Sequence, residues 1–283
     1  MTPMAHEAAT AGRGSWLSRL LGGQGATPLA MALIVVALGV VFGLLSRDGA
    51  FFRVSNLTTM TLNVSVAMLL AVGITQILAA GELDLSIGAN VVLSSVVAAR
   101  VLVALSGTPQ EVAAGEYPTL GLGLVAGGLA RVLAGAAFGA VNGLLVTRLR
   151  ISSFIVTLGT LGIGTGLAYV LTNGSNVSNV PRVIQAEFGV QKVFGIVPYP
   201  MAIVLIISGL IWYTMRSTRF GLHTLAIGSS REAAERAGIR SKRHILLLFI
   251  IMGALSGVAA LLDLTRFAAT NIGGHQTDAL QAI

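Results

Sequence analysis

Seven long apolar runs dominate this chain: Pro28 to Leu45, Leu57 to Ala80, Leu83 to Leu105, Leu120 to Thr147, Phe154 to Leu171, Val197 to Met215 and His244 to Leu262. A helix rises about 1.5 Å per residue and the hydrocarbon core of a bilayer is about 30 Å thick, so about 20 apolar residues cross it. Runs of this length leave no aqueous face for a soluble fold to border. They predict an all-α, polytopic transmembrane helix bundle of about seven spans. Composition agrees: 54% of residues are hydrophobic and 10% charged, against about 25% charged in soluble domains.

The basic residues lie unevenly between these runs, and an excess of Lys and Arg marks the cytoplasmic side. With the N-terminus inside, the inner segments hold Arg13 and Arg19, then Arg148 and Arg150, then Arg216, Arg219, Arg231, Arg236, Arg240, Lys242 and Arg243. The outer stretch Ser106 to Pro118 holds Glu111 and Glu116 with no base, whereas Arg47 and Arg53 stand against the orientation. The chain therefore divides into a flexible, Gly/Ala-rich cytoplasmic tail over 1–26 and a membrane domain over 27–283 with a basic cytoplasmic loop at 216–243. The net charge of +7 sets topology and does not indicate nucleic acid, because no basic stripe carries interleaved aromatics.

Several functions are excluded outright. There is no cysteine, hence no disulfide, thiolate metal site or cysteine nucleophile. No phosphate-cradling GxxxxGK[ST], HExxH or GxSxG pattern occurs, and the four histidines are scattered. The chain is not an enzyme, binds no cofactor itself, and uphill transport would need ATP hydrolysed elsewhere.

Three segments carry more information than composition. In Gly81-Glu82-Leu83-Asp84-Leu85-Ser86-Ile87-Gly88 two carboxylates and a hydroxyl interrupt an apolar stretch. Carboxylates are costly in hydrocarbon, so they face water, protein or a helix N-terminus. Asp84 can cap the third helix, and Glu82, Asp84 and Ser86 are candidates for lining a translocation path; the two readings are compatible. Asn142, Phe154 and Thr157, in the stretches from Gly139 and from Ile151, are further path candidates, although bonding between helices is the commoner fate of such polar groups. The third segment, Ser217 to Arg243, contains a short amphipathic helix from Ser230 to Ala237, with Ser229 or Ser230 as cap, Glu232 in its first turn and Gly238 as its stop. Such a helix either docks on a soluble partner or forms a solvated loop.

Two further features lie inside the runs. Gly127, Gly135, Gly139 and Gly143 form a stripe that lets helix backbones approach closely. Arg131 interrupts the fourth run at a cost of about 2.5 to 3.5 kcal/mol for a central Arg, which the neighbouring apolar residues offset. It is either functional or a bundle-facing or snorkelling side chain.

Taken together, GELDLSIG at Gly81 to Gly88, NGLLV at Asn142 to Val146 with FIVTLGT at Phe154 to Thr160, and the pattern from Thr218 to Ile239 resemble the ribose-type permease family of bacterial ABC importers. The resemblance extends from about Phe51 onward. It implies a bundle of the ABC importer permease type in the bacterial cytoplasmic membrane, a second permease copy, an ATPase subunit that binds ATP with Mg, and an extracytoplasmic solute-binding protein delivering a monosaccharide. By the same resemblance, Ser229, Ser230, Arg231, Glu232, Ala233, Ala234, Glu235, Arg236, Ala237, Gly238 and Ile239 form the helix that couples to the ATPase. The chain departs from the pattern at Glu82, Leu222 and the Ser229-Ser230 pair. Its end, from Asp278 to Ile283, resembles the start of a family segment that continues into two or three further helices, which implies a truncated sequence. The alternatives from other classes are an ion-coupled secondary transporter using Glu82 and Asp84, and a truncated membrane protein that does not transport.

Overall fold

A computed structural model describes residues 26–181, 183–189, 191–195, 197–267, 269–275 and 278–282. Of the tail predicted over residues 1–26, residues 1–25 lie outside the described residues, and Ala26 already belongs to the first helix. The chain divides into two units, Met1–Leu57 and Thr58–Ile283.

In the first unit, helix α1 (Ala26–Leu45) is followed by a 3-10 turn, Arg47–Phe52. Asp48 and Gly49 take positive φ inside this turn, which lets Phe51 stack on Phe42 with ring centroids 5.8 Å apart. The large apolar side chains of α1, among them Val35, Leu44 and Leu45, are exposed, as suits a helix solvated by lipid.

Helix α2 (Val54–Ala79) begins before Leu57 and runs through the second unit. It is followed by α3 (Ile87–Ser106), the short α4 (Pro109–Ala114), α5 (Leu120–Arg148) and α6 (Ser153–Thr172). A π-helical turn (Ile184–Gly189) and a two-stranded antiparallel hairpin, β1 (Lys192–Val193) with β2 (Val197–Pro198), lead into α7 (Tyr199–Ser217). Then come α8 (Arg219–Ser229), α9 (Arg231–Arg236), α10 (Ser241–Phe267) and α11 (Asp278–Ala282). Among the described residues, six helices are long and apolar enough to cross a membrane: α2, α3, α5, α6, α7 and α10. The first apolar run is helical as well, with the apolar stretch Leu29–Leu45 among the described residues, so the number of apolar helices roughly matches the expected seven.

The core is built on close backbone contact. Helices α5 and α10 pack most extensively, followed by α3 with α5. A methyl group on Gly135 would fall on the Gly253 carbonyl oxygen, and one on Gly139 on that of Phe249. The expected glycine stripe is shared between two partners: Gly135, Gly139 and Gly143 meet α10, whereas Gly127 meets Ala98 and Leu102 of α3. Around this seam Leu69, Leu70 and Ile74 of α2 and Ile245, Phe249 and Met252 of α10 are fully buried. With lipid as apolar as the side chains, such van der Waals fit is a main force joining the helices.

Two short helices escaped the hydropathy reading, and each has a local cause. Helix α4 opens on a capping box: the Glu111 amide donates to Thr108 Oγ1 at 3.4 Å and the Thr108 amide to Glu111 Oε2 at 2.8 Å, the reciprocal arrangement that Thr-x-x-Glu encodes. The Thr108 amide, together with the Thr108 hydroxyl, which also donates to Glu111 Oε2 at 2.8 Å, holds the Glu111 carboxyl below its usual range. Helix α8 starts where Thr218 Oγ1 accepts from the Phe220 amide at 3.2 Å.

Candidate coupling and translocation site

The third span begins at Ile87 and not at Leu83, because Ala80 to Ser86 folds into a polar turn of its own. Gly81 opens it at φ +77°, a conformation that glycine adopts without strain. The Leu83 amide donates to Ser153 Oγ at 3.1 Å, at the start of α6. Asp84, 3% exposed, receives both the amide and the hydroxyl of Ser86 on Oδ1, at 2.9 and 2.6 Å. Its expected capping role is thereby corrected: it holds the residue that precedes α3 and does not bond the first helical amides. Burial pushes its carboxyl above the usual range, and the two Ser86 bonds pull the other way.

This turn is tied to the other polar candidates. The side-chain amide of Asn142 on α5 donates to Ser86 Oγ at 2.8 Å, and Asn142 Oδ1 is buried without a hydrogen-bond partner among the described residues. Thr157 on α6 donates to the Ser153 carbonyl at 2.7 Å and lies 3.4 Å from that of Leu83. Asp84, Ser86 and Asn142 are therefore assembled in one buried network, and Thr157 adjoins it through the Leu83 carbonyl of the same turn. Phe154 is not part of it: its side chain is exposed, because one position along α6 from Ser153 points to a different face.

Glu82 faces the other way, toward the segment expected to couple. Its carboxylate lies 3.6 Å from the Arg231 guanidinium, which also pairs with Glu235 at 3.6 Å. Beside this pair the backbones touch: a methyl group on Gly228 at the end of α8 would strike the carbonyl oxygen of Ala79, the last residue of α2. The short helix α9 is closed at both ends as its residues predict. Ser230 Oγ accepts from the Ala233 amide at 3.3 Å, and Gly238 at φ +85° lets the Ile239 amide reach the Ala234 carbonyl at 3.0 Å. Ala234 is buried against the bundle, while Ser229, Ser230, Glu232, Ala233, Glu235, Arg236, Ala237 and Gly238 are exposed and Ile239 is half-buried. Glu82, Arg150, Arg231, Glu232, Glu235 and Lys242 line a cleft of about 500 Å³ between α9 and the junction of α5 with α6.

Two contributors went unnoticed in the sequence. Asn90 on α3 donates to the Gly135 carbonyl at 3.2 Å and accepts from Ser94 at 3.1 Å, pinning α3 to the glycine seam; its place two residues after Gly88 was the available signal. His244 receives α8 at the start of α10, with Nε2 2.8 Å from Thr224 Oγ1 and its ring 4.6 Å from that of Phe220. Hydropathy gives no hint of this contact. Among the described residues no group of His, Asp and Glu has the arrangement of a metal site.

Residues 56–279 match the family model described as branched-chain amino acid transport system / permease component. The chain belongs to that permease family. The permease is 33% identical over 237 residues to the D-allose transport system permease protein AlsC of Escherichia coli (strain K12), covering 83% of this chain and 67% of that protein. It is 31% identical over 257 residues to the ribose import permease protein RbsC of the same organism, covering 88% and 74%. It is also 33% identical over 236 residues to the L-arabinose ABC transporter permease protein AraH of Azospirillum brasilense, covering 83% and 64%. No solved structure matches it significantly. The permease is thus a transport subunit and not an enzyme, and its six apolar helices make it a multi-pass protein of the bacterial inner membrane. This membership displaces the ion-coupled alternative.

Proposed function

We infer that the permease imports a monosaccharide or a similar small polar solute, driven by ATP hydrolysed with Mg on a separate ATPase subunit and supplied by an extracytoplasmic binding protein. The names of the similar proteins, for D-allose, ribose and L-arabinose, support the solute class. Two copies of the chain form the path, and the N-terminus is cytoplasmic, as the distribution of basic residues suggests.

In this reading Ser229 to Ile239 docks on the ATPase. The observation that carries it is the Glu82–Arg231 pair, which joins the exposed helix α9 to the polar turn between α2 and α3. Movement of α9 would pull first on Glu82, then on the network of Asp84, Ser86 and Asn142 and the adjoining Thr157, and would bias the path between two arrangements. The contiguous contacts make this a physical route, which coupling measurements can test.

The test replaces Glu232 with Lys and Ala233 with Trp in the permease reconstituted with its ATPase and binding protein. Both side chains are exposed on α9, so folding is expected to survive while solute-stimulated ATP turnover falls. Unchanged turnover would remove the coupling assignment.

A further inference from the structure

Among the described residues no carboxylate pairs with Arg131. It lies on α5, in the middle of an apolar run, and its Nε is buried with no hydrogen-bond partner among the described residues. Around it is a cavity of about 380 Å³, within the size range of small-ligand sites. Apart from Arg131 the described residues of its walls are apolar: Leu102 of α3, Leu124 and Gly127 of α5, Phe188 of the π-helical turn and Leu261 of α10 contribute to them. A polar solute gains little from such walls, and a wholly apolar one leaves the guanidinium unsatisfied. The ligand that suits both is an amphiphile with an acyl chain and an anionic head.

Depth along the helix points to the same class. Helix α5 has 29 residues, about 43 Å of length, and exceeds the hydrocarbon core of about 30 Å. With Arg148 at the headgroup level of one face, counting back about 20 residues puts the other boundary near Gly128. Arg131 is then about one turn inside the hydrocarbon. Its guanidinium is turned toward that boundary, since Nη2 lies 3.4 Å from where a Cβ on Gly128 would stand; a side chain on a helix leans toward the N-terminus, and Arg snorkels to the nearest polar layer. Gly128, having no side chain, leaves room for this path.

We propose that Arg131 and the apolar cavity beside it bind an anionic phospholipid, with the phosphate on the guanidinium and an acyl chain against Leu102, Leu124 and Phe188. Charge complementarity selects the headgroup and the apolar walls hold the chain.

The full permease, purified in a neutral detergent, tests this by thermal unfolding with added phosphatidylglycerol or phosphatidylcholine of identical acyl chains. Phosphatidylglycerol is expected to raise the Tm by a few degrees more than phosphatidylcholine, as preferential binding to the folded state requires. That difference should vanish in Arg131→Gln and persist in Arg131→Lys. Should Arg131→Gln fail to fold, Gly128→Leu decides: it keeps the charge, blocks the guanidinium's path, and is expected to lose the difference. Equal shifts with both lipids, or a difference that survives Arg131→Gln and Gly128→Leu, would overturn the proposal. So would reproduction of the shift by inorganic phosphate alone, which would point to a simple anion site. Glu187 precedes Phe188 in the sequence, and if Glu187→Gln abolishes the lipid difference as Arg131→Gln does, the partner is a carboxylate of the chain and the proposal fails.

Discussion

The side-chain amide of Asn142, deep in α5, donates to Ser86 Oγ at 2.8 Å, while Ser86 donates in turn to Asp84 at 2.6 Å. All three groups are buried, and a chain of hydrogen bonds in a low-dielectric interior is costly to break from one end. Asn142→Ala leaves Ser86 without its donor and is expected to cost about 1–3 kcal/mol. Ser86→Ala should cost a similar amount, and the double variant less than the sum, because the two side chains share one interaction. Thermal unfolding of the purified variants in detergent measures the cycle; strict additivity would show that the network is not a unit.

The glycine seam gives a sharper contrast. A methyl group at Gly139 or Gly253 meets a backbone carbonyl of the facing helix, whereas one at Gly121 or Gly159 meets nothing within 4 Å. Gly139→Ala is therefore expected to push α5 from α10 and to destabilise by at least the roughly 1–3 kcal/mol typical of overpacking. Gly159→Ala should be neutral or slightly stabilising through helix propensity. Monodispersity on size exclusion and the Tm of each variant distinguish the two.

Stability and coupling separate at Glu82 and Arg231. With side chains 14% and 40% exposed at 3.6 Å, such a pair contributes only about 0–1 kcal/mol, so Glu82→Lys and Arg231→Glu should hardly move the Tm. In the reconstituted importer each single change is expected to lower solute-stimulated ATP turnover several-fold, and the charge-swapped double variant to regain most of it. Absence of recovery in the swapped variant would mean that the pair carries no signal.

Protonation of Glu111 opens the cap of α4. The two Thr108 bonds lower its carboxyl from the ordinary value of 4.5, so the stabilisation is fully present above that value and is lost as pH falls through the lower, folded one. Hydrogen exchange across residues 108–115 should therefore speed up on acidification beyond the intrinsic pH effect. Glu111→Gln, which takes no charge, should lack the excess.

The sequence by itself determined the solvent of this protein and most of its helices, because insertion and helix formation depend on hydropathy and on hydrogen bonds closed within each segment. It also determined the ends of α9, since Ser230 and Gly238 act on amides and carbonyls only a few residues away. The polar interruption at Gly81 to Ser86 was legible for the same reason, although its internal bonds were not: Asp84 holds Ser86 and not the helix proper. Which helix meets which was decided only in the tertiary structure. Ser86 with Asn142, Glu82 with Arg231, and Gly139 with Phe249 join segments far apart in the chain, and the apolar faces between them look alike in letters. In lipid no polar pattern marks an inward face, so the pairing rests on the fit of small surfaces and a few buried polar groups, which sent Phe154 outward and brought Thr157 of the same helix beside the network.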